Sequence, residues 1–249
     1  MFLFALAFFA TALLYASVGF GGGSTYNALL VLTGADFRVI PLIALSCNII
    51  VVSGGVWHFA RNRHLQLRRI LPWVVFSIPA SFLGGLVPVG EVYFIGVLGF
   101  ALLLSGIRLL WPERRLQKDW AGHKAVPPVF GSLLGFVAGL TGIGGGIFLA
   151  PVLHLTGWGN AKQIAGACAL FILVNSLAGM AGQALKMHDT DVLVLALPYW
   201  VLLPAVLAGG QIGSFLGAAQ INVTIVKKMT GCLILYVAIR LLVRFFAMV

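Results

Sequence analysis

The sequence predicts an all-α, polytopic integral membrane protein with about eight transmembrane helices in two four-helix repeats, each repeat opening with a helix that glycine breaks. Three observations predict this fold. The 249-residue chain is 61% hydrophobic and only 9% charged, and its mean hydropathy is +1.06, as is typical of a chain embedded in lipid. Its apolar runs have the length of membrane spans. Two glycine-rich stretches recur at a constant offset within those runs.

Eight apolar segments are candidate spans, because a membrane-crossing helix needs about 20 apolar residues. They cover roughly 1–33, 36–60, 70–88, 92–110, 127–155, 162–185, 191–218 and 223–246. The first segment starts at Met1 with no preceding Lys or Arg, so it lacks the basic region of a cleaved signal peptide. We expect it to stay in the mature protein.

The first and fifth segments contain nearly identical glycine stretches, Gly19 to Gly23 and Gly142 to Gly146. Both have the pattern Gly-x-Gly-Gly-Gly, and a Leu-Thr-Gly sequence follows each at the same distance, so the offset between the copies is 123 residues throughout. Glycine lets the chain leave helical geometry, and interruptions at corresponding positions of two repeats indicate a transporter's binding site. The sequence allows two geometries, a broken spanning helix or a re-entrant hairpin.

Later segments extend the repeat. Residues 44–53 correspond to 167–176 at the offset of 123, and 99–110 correspond to 231–242 at an offset of 132. We therefore divide the chain into a first repeat at 1–110, a cytoplasmic linker at 111–126 and a second repeat at 127–249. Four spans in each half would make the halves parallel, whereas a hairpin at each glycine stretch would invert them.

The net charge of +10 reports orientation rather than binding to nucleic acid, because the basic residues crowd into short loops beside apolar runs. With the amino end inside, an eight-span arrangement places 12 of the 16 Lys and Arg residues on one side. This count predicts that both termini are cytoplasmic. A hairpin in the first segment would move the amino end outside.

The helix that restarts after each glycine stretch offers free N–H groups and the positive end of its dipole, which suit an anion. Buried polar residues in the following spans are expected to face the same cavity. The substrate-binding candidates are Gly21, Gly22, Gly23, Ser24, Thr25, Asn48, Ser53, Gly144, Gly145, Gly146, Ile147, Asn175 and Ser176. The first repeat supplies more side-chain donors than the second. The competing interpretation of these glycines and polar residues is helix packing.

Several functions are disfavoured. All six carboxylates map to span ends or loops, which argues against a cation pump. The three cysteines lack Cys-x-x-Cys spacing, so no metal site is predicted, and no Gly-Lys-Ser/Thr follows the first glycine stretch, so no nucleotide cofactor is predicted. No nucleophile and base are paired in the motifs, so we predict no enzyme and no catalytic residue. His154, near the second glycine stretch, is a candidate for proton coupling or an interfacial residue.

With these motifs the chain resembles the sulfite exporter TauE/SafE family of bacterial membrane transporters. The resemblance rests on the two glycine stretches, on Pro151 after the second, and on Ser53 and Ser176, each followed by small residues. The chain departs from the family pattern at Asn27-Ala28, where a Pro commonly stands near the position matching Pro151.

This resemblance implies a secondary transporter that moves sulfite, an organosulfonate or a related oxidised-sulfur anion across the bacterial cytoplasmic (inner) membrane. Its expected partners are the small-molecule anion, the lipid bilayer and a coupling ion. The alternatives are a passive anion channel and a transporter of a non-sulfur organic anion. Neither the oligomeric state nor the direction of transport follows from the sequence.

Overall fold

The computed structural model describes residues 2–110, 126–186, 194–219 and 223–249, and it contains helices and loops but no strand in these ranges. A 3₁₀-helix at Leu197–Leu202 leads into the helix that begins at Leu203. The α-helices are α1 Phe2–Ala16, α2 Gly23–Leu32, α3 Ile40–Arg61, α4 Leu67–Leu86, α5 Glu91–Leu110, α6 Val126–Thr141, α7 Gly146–Leu155, α8 Ala161–Lys186, α9 Leu203–Ala219 and α10 Val223–Met248. The predicted linker falls outside the described residues, apart from Val126, which begins α6.

Four helical segments of the described chain are long and apolar enough to cross a membrane: Ile40–Arg61, Leu67–Leu86, Ala161–Lys186 and Val194–Gly217. Shorter apolar helices cover Phe2–Ala16, Glu91–Leu104 and Val126–Thr141. This all-helical, apolar architecture is that of a polytopic membrane protein. These segments do not confirm the predicted number of eight spans.

The chain leaves helical geometry at both glycine stretches, as the sequence predicts. Helix α1 ends at Ala16 and α2 begins at Gly23, while α6 ends at Thr141 and α7 begins at Gly146. Gly22 and Gly145 precede the new helices with φ of 91° and 79°. Only glycine adopts this left-handed conformation without a steric penalty.

Contacts between helix ends define two faces of the bundle. On the first, which we call the terminal face, Arg244 near the end of α10 binds Glu91 at the start of α5 at 2.8 Å and lies 3.4 Å from the Val31 carbonyl at the end of α2. On the second, which we call the basic face, Arg69 at the start of α4 lies over the ring of Trp158, in the loop after α7. Helix α2 therefore ends at the terminal face and α7 at the basic face.

Neighbouring helices then fix the direction of α1 and α6. Carbonyl oxygens of α1 and of Ser17 just after it lie against glycines of α9 at a constant offset, from Phe9 with Gly209 to Ser17 with Gly217, so these two helices run parallel. Helix α9 follows α8, whose end at Lys186 contacts Val87 on the terminal face. Helix α1 therefore starts at the terminal face, and α2 returns to it.

The second glycine stretch is built the same way from the opposite side. Carbonyls of α4 lie against glycines of α6, from Trp73 with Gly131 to Ser81 with Gly139, so α6 runs parallel to α4 from the basic face, to which α7 returns. Both glycine stretches are thus tips of hairpins rather than breaks within spanning helices. The two halves have opposite orientations, and the parallel relation expected from four spans in each half does not apply.

The hairpins are held by helices of the opposite half. Helix α4 packs against α6 and α8, α9 packs against α1 and α3, and α5 and α10 pack against each other. Glycine allows the close approaches, since a Cβ at Gly131 would lie 2.7 Å from the Trp73 carbonyl oxygen. Small residues at such contacts are characteristic of helix packing in membranes. The arrangement brings both hairpin tips to the centre of the bundle.

Candidate functional site

The two hairpin tips, residues 17–22 and 142–145, meet between α3 and α8. Asn48 of α3 donates from Nδ2 to the carbonyls of Gly142 and Ile143 at 3.2 and 3.1 Å, and its amide also lies directly against Gly21 and Gly23 of the first hairpin. Asn27 of α2 donates to the last carbonyl of α6 at 2.6 Å. These amides replace helical hydrogen bonds that the tips have given up, so they hold one hairpin against the other.

Each tip presents free backbone donors at the start of a helix. The Gly22 carbonyl accepts from Thr25 and Tyr26 at 2.9 and 3.0 Å, whereas the N–H groups of Gly23 and Ser24 precede the first bond of α2. In the second hairpin the Gly145 carbonyl accepts the first bonds of α7 in the same way. Both helices therefore aim unpaired N–H groups and a positive dipole end at the tips.

A buried hydroxyl without a partner stands beside each of these helix starts. Neither the Tyr26 hydroxyl nor the Ser176 Oγ has a hydrogen-bond partner, and both residues are fully buried. A Cβ at Gly22 would lie 3.0 Å from the Tyr26 hydroxyl, and one at Gly144 would lie 3.1 Å from the Ser176 Oγ. Unpaired buried polar groups are rare, and each needs an explanation such as a bound ion or water. The side-chain amide oxygens of four further buried residues are also unpaired: Asn27, Asn48, Asn175 and Gln183.

A cavity of about 10 Å³ lies between the tips, enough for about one water molecule. One wall, which we call the polar wall, belongs to the first hairpin and holds Tyr15 and Ser24, with Phe20 as its apolar member. The other wall is aliphatic and belongs to the second hairpin and α8. The lining residues are Tyr15, Phe20, Gly21, Gly22, Gly23, Ser24, Ile143, Ile147 and Ile172. At this volume the cavity is too small for an anion of four or more heavy atoms.

Most of the predicted site residues meet here. Gly21, Gly22, Gly23, Ser24 and Ile147 line the cavity. The others in this group surround the tips: Thr25, Asn48, Gly144, Gly145, Gly146 and Ser176. Thr25 takes part through its Oγ1, which shares a 2.6 Å hydrogen bond with the Tyr15 hydroxyl.

Three predicted residues lie elsewhere. Ser53 is exposed on the outside of α3 and donates to its own helix at Ile49. Asn175 is buried, but its Nδ2 donates to Phe171 in its own helix at 2.9 Å. His154 lies in the last turn of α7, at the basic face, with the length of that helix between it and the tips. Ser53 and His154 therefore do not form the cavity.

Sequence reasoning missed Tyr15, Phe20, Ile143 and Ile172. Tyr15 belongs to α1, which is apolar on all sides, so helical periodicity gives no sign of the face that it presents. Ile172 comes just before Asn175 and Ser176 in the sixth span and does not stand out among its apolar neighbours. Within the described residues, no group of three or more His, Cys, Asp or Glu side chains could hold a metal ion.

Charges gather at the mouths of the bundle rather than at the tips. An open cavity of about 570 Å³ at the terminal face is lined by Asp36, Arg38, Glu91 and Arg244, together with neighbouring loop residues. Hydrogen bonds from Arg38 lower the pKa of Asp36. On the basic face, partial burial and the charge of Lys162 lower the pKa of His64. The cavity between the tips has no charged lining residue.

The family model described as sulfite exporter TauE/SafE matches residues 3–241 of the chain. The protein belongs to the sulfite exporter TauE/SafE family. It is also similar to the probable membrane transporter protein y4hK of Sinorhizobium fredii, with 34% identity over 243 residues that cover 96% of each chain. No solved structure matches it.

Membership in the TauE/SafE family confirms the predicted resemblance and the class of protein, a multi-pass membrane transporter. In this TauE/SafE chain the glycine stretches form the hairpin tips described above. The 34% identity to the relative extends over both hairpins, because the match covers 96% of the chain.

Proposed function

We propose that this protein is a secondary transporter that moves a small oxidised-sulfur anion, sulfite or an organosulfonate, across the bacterial cytoplasmic membrane. The observation that carries the proposal is the meeting of two helix starts, each with free N–H groups and a buried hydroxyl that lacks an acceptor. The oxygens of an anion supply the missing acceptors. Neutral donors suffice, because backbone dipoles act strongly away from water.

The hairpins suggest how the site changes access. Each hairpin begins and ends at one face, and the two come from opposite faces, so a movement of either tip opens the cavity to one side only. Inverted repeats commonly support alternating access around a central site of this kind. The small cavity corresponds to the closed stage between the two open ones.

Reconstitution in liposomes tests the function. We expect uptake of labelled sulfite or methanesulfonate that saturates, shows counterflow and follows an imposed proton, sodium or voltage gradient, which would also name the coupling ion. Single-channel currents without counterflow would instead support a passive anion channel. Uptake restricted to carboxylates would identify a transporter of a non-sulfur organic anion. No flux of any anion by correctly inserted protein would contradict the proposal.

We further propose that the basic face is cytoplasmic and that both termini are extracytoplasmic, the reverse of the orientation expected from the sequence. The helix directions assign twelve Lys and Arg residues of the described helices and loops to the two faces, with eight at the basic face and four at the terminal face. The basic-face group is Arg61, Arg63, Arg68, Arg69, Arg108, Lys162, Lys227 and Lys228, and the other group is Arg38, Lys186, Arg240 and Arg244. The more basic face is normally cytoplasmic.

Reporter fusions check this orientation. Alkaline phosphatase, which is active only outside the cytoplasm, should be active when fused after Val249 and inactive when inserted after Arg63. A fluorescent protein that folds only in the cytoplasm should give the opposite pattern at the same two sites. Cytoplasmic signals from the carboxyl-terminal fusions would restore the orientation predicted from sequence.

A further inference from the structure

We propose that the second hairpin and α8 form an apolar subsite for the non-charged part of the substrate. The preferred substrate is then an anion with one oxyanion head and a short apolar tail, such as a small alkanesulfonate, rather than bare sulfite. This inference rests on the proposed function and narrows its substrate. It comes from the unequal chemistry of the two cavity walls.

The polar wall gathers every side-chain hydroxyl that lines the cavity. Tyr15 bonds Thr25 at 2.6 Å and accepts from the Ser24 Oγ at 3.4 Å, so these three hydroxyls form one connected group. The first turn of α2 adds its free N–H groups beside them. An oxyanion head bound at this wall satisfies both the hydroxyls and the backbone donors.

The opposite wall consists of aliphatic side chains. Ile143, Ile147 and Ile172 are 3%, 3% and 2% exposed, and all three line the cavity. Ile172 fills the space beside Gly144 of the tip and Gly146 at the start of α7, since a Cβ at Gly144 would lie 2.7 Å from its Cγ2 and one at Gly146 would overlap its Cδ1. The glycines thus let this side chain reach the cavity.

Corresponding positions of the sequence repeat differ in polarity in the same way. At the offset of 123 residues, the polar group of Tyr15, Ser24 and Thr25 corresponds to Ala138, Ile147 and Phe148. Each of these three hydroxyl residues therefore has an apolar counterpart in the second hairpin. Both helix starts offer backbone donors, but the first adds side-chain hydroxyls and the second adds aliphatic surface, so an oxyanion head is favoured at the first and an apolar tail at the second.

Desolvation sets the expected preference. A sulfite ion carries its double negative charge on three oxygens around a sulfur lone pair, so it brings no apolar group to the isoleucines and buries more charge beside them than a sulfonate does, which is costly in an apolar setting. A methyl or longer tail at that wall gains instead about fourfold in affinity per buried methylene. This gain in affinity with tail length should end when the tail is longer than the site can hold with the tips apart.

Competition in liposomes tests the subsite. Sulfite, the C1 to C4 alkanesulfonates and isethionate compete for uptake of labelled methanesulfonate. Isethionate matches propanesulfonate in size but ends in a hydroxyl. We expect the apparent affinity of the inhibitor to rise by about fourfold per carbon over the first members of the series. Propanesulfonate should bind about tenfold more tightly than isethionate. An apolar pocket discriminates against an added hydroxyl by at most about a hundredfold, and the expected difference lies within that limit.

Variants locate the preference. Ile172→Ser should reduce or abolish the advantage of propanesulfonate over isethionate, with the milder Ile172→Val retaining most of it. Ile49→Ser is the matched control, because Ile49 occupies the corresponding repeat position and does not line the cavity, so its selectivity should stay that of the wild type. Membrane abundance and monodispersity are measured for each variant.

The outcomes separate the two proposals. Transport of all these anions with equal inhibition by propanesulfonate, isethionate and sulfite would overturn the apolar subsite while leaving the proposed function intact. Unchanged selectivity in an abundant Ile172→Ser protein would also overturn it. Absence of transport for every anion would overturn the proposed function and this inference together.

Discussion

Replacing Gly145 or Gly22 by Val is expected to reduce transport by at least a hundredfold while the protein still inserts in the membrane. Both glycines have φ in the left-handed region, 79° and 91°, where a β-branched residue is strongly disfavoured. A Cβ would also lie 2.9 Å from a carbon of the Phe171 or Tyr26 ring. The substitution therefore moves the start of α7 or α2, and the free N–H groups lose their position at the cavity.

Two other glycines provide matched controls. Gly34 and Gly157 have φ of 77° and 64°, but a Cβ at either would meet nothing within 4 Å. Asn tolerates this conformation better than other residues, so Gly34→Asn and Gly157→Asn should keep near wild-type uptake. Initial uptake rates are compared at equal amounts of monodisperse protein. Full activity of both Val variants would remove the hairpin tips from the transport mechanism.

Replacing Asn48 by Leu should also abolish transport, and it should destabilise the protein as well. Leu has the same branching and number of side-chain heavy atoms but a larger volume, and it removes the two hydrogen bonds to the second tip. The carbonyls of Gly142 and Ile143 then lose a donor at membrane depth, where an unpaired polar group is costly. Each buried carbonyl that is left unpaired lowers the stability of the fold by about 1–3 kcal/mol. Both hairpins share this site, so the loss affects the contact between them.

Thermal unfolding in detergent and uptake in liposomes check this result. The control is Asn175→Leu, because Asn175 is equally buried but its Nδ2 donates within its own helix. We expect its loss of thermal stability to be smaller and some transport to remain. An Asn48→Leu protein as stable and active as wild type would show that the amide does not hold the tips together.

The broad features of the fold could be predicted because they follow from composition and local conformation. Apolar runs of span length require helices, since lipid offers no partner for backbone N–H and C=O groups. Three consecutive glycines favour a break in the helix, because glycine stabilises a helix poorly. The structure has these breaks at Gly22 and Gly145, both with positive φ. The family also followed from these motifs and is confirmed by the match over residues 3–241.

The direction of the chain at each break could not be predicted from local sequence. After a glycine turn the chain can either continue across the membrane or turn back, and the outcome depends on which distant helix α1 packs against. The close contacts from Phe9 with Gly209 to Ser17 with Gly217 show that α1 packs parallel to α9, which makes the first glycine stretch the tip of a hairpin. The hairpin also changes the orientation that the charge count predicts. Because α1 and α2 start and end at the same face, every later loop lies on the opposite side from the one expected for a spanning first segment.

The membership of the site shows the same limit at the level of single residues. Ser53 and Ser176 correspond in the sequence repeat, yet Ser53 faces outward while Ser176 lies unpaired beside Gly144. Helices that are apolar on all sides carry no periodic sign of their inner face. The sequence by itself determined the membrane fold, the glycine breaks and the family, because these depend on composition and on local conformation. Only the tertiary structure decided the hairpins and joined Tyr15, Asn48 and Ile172 in one site, because those contacts depend on packing between distant helices.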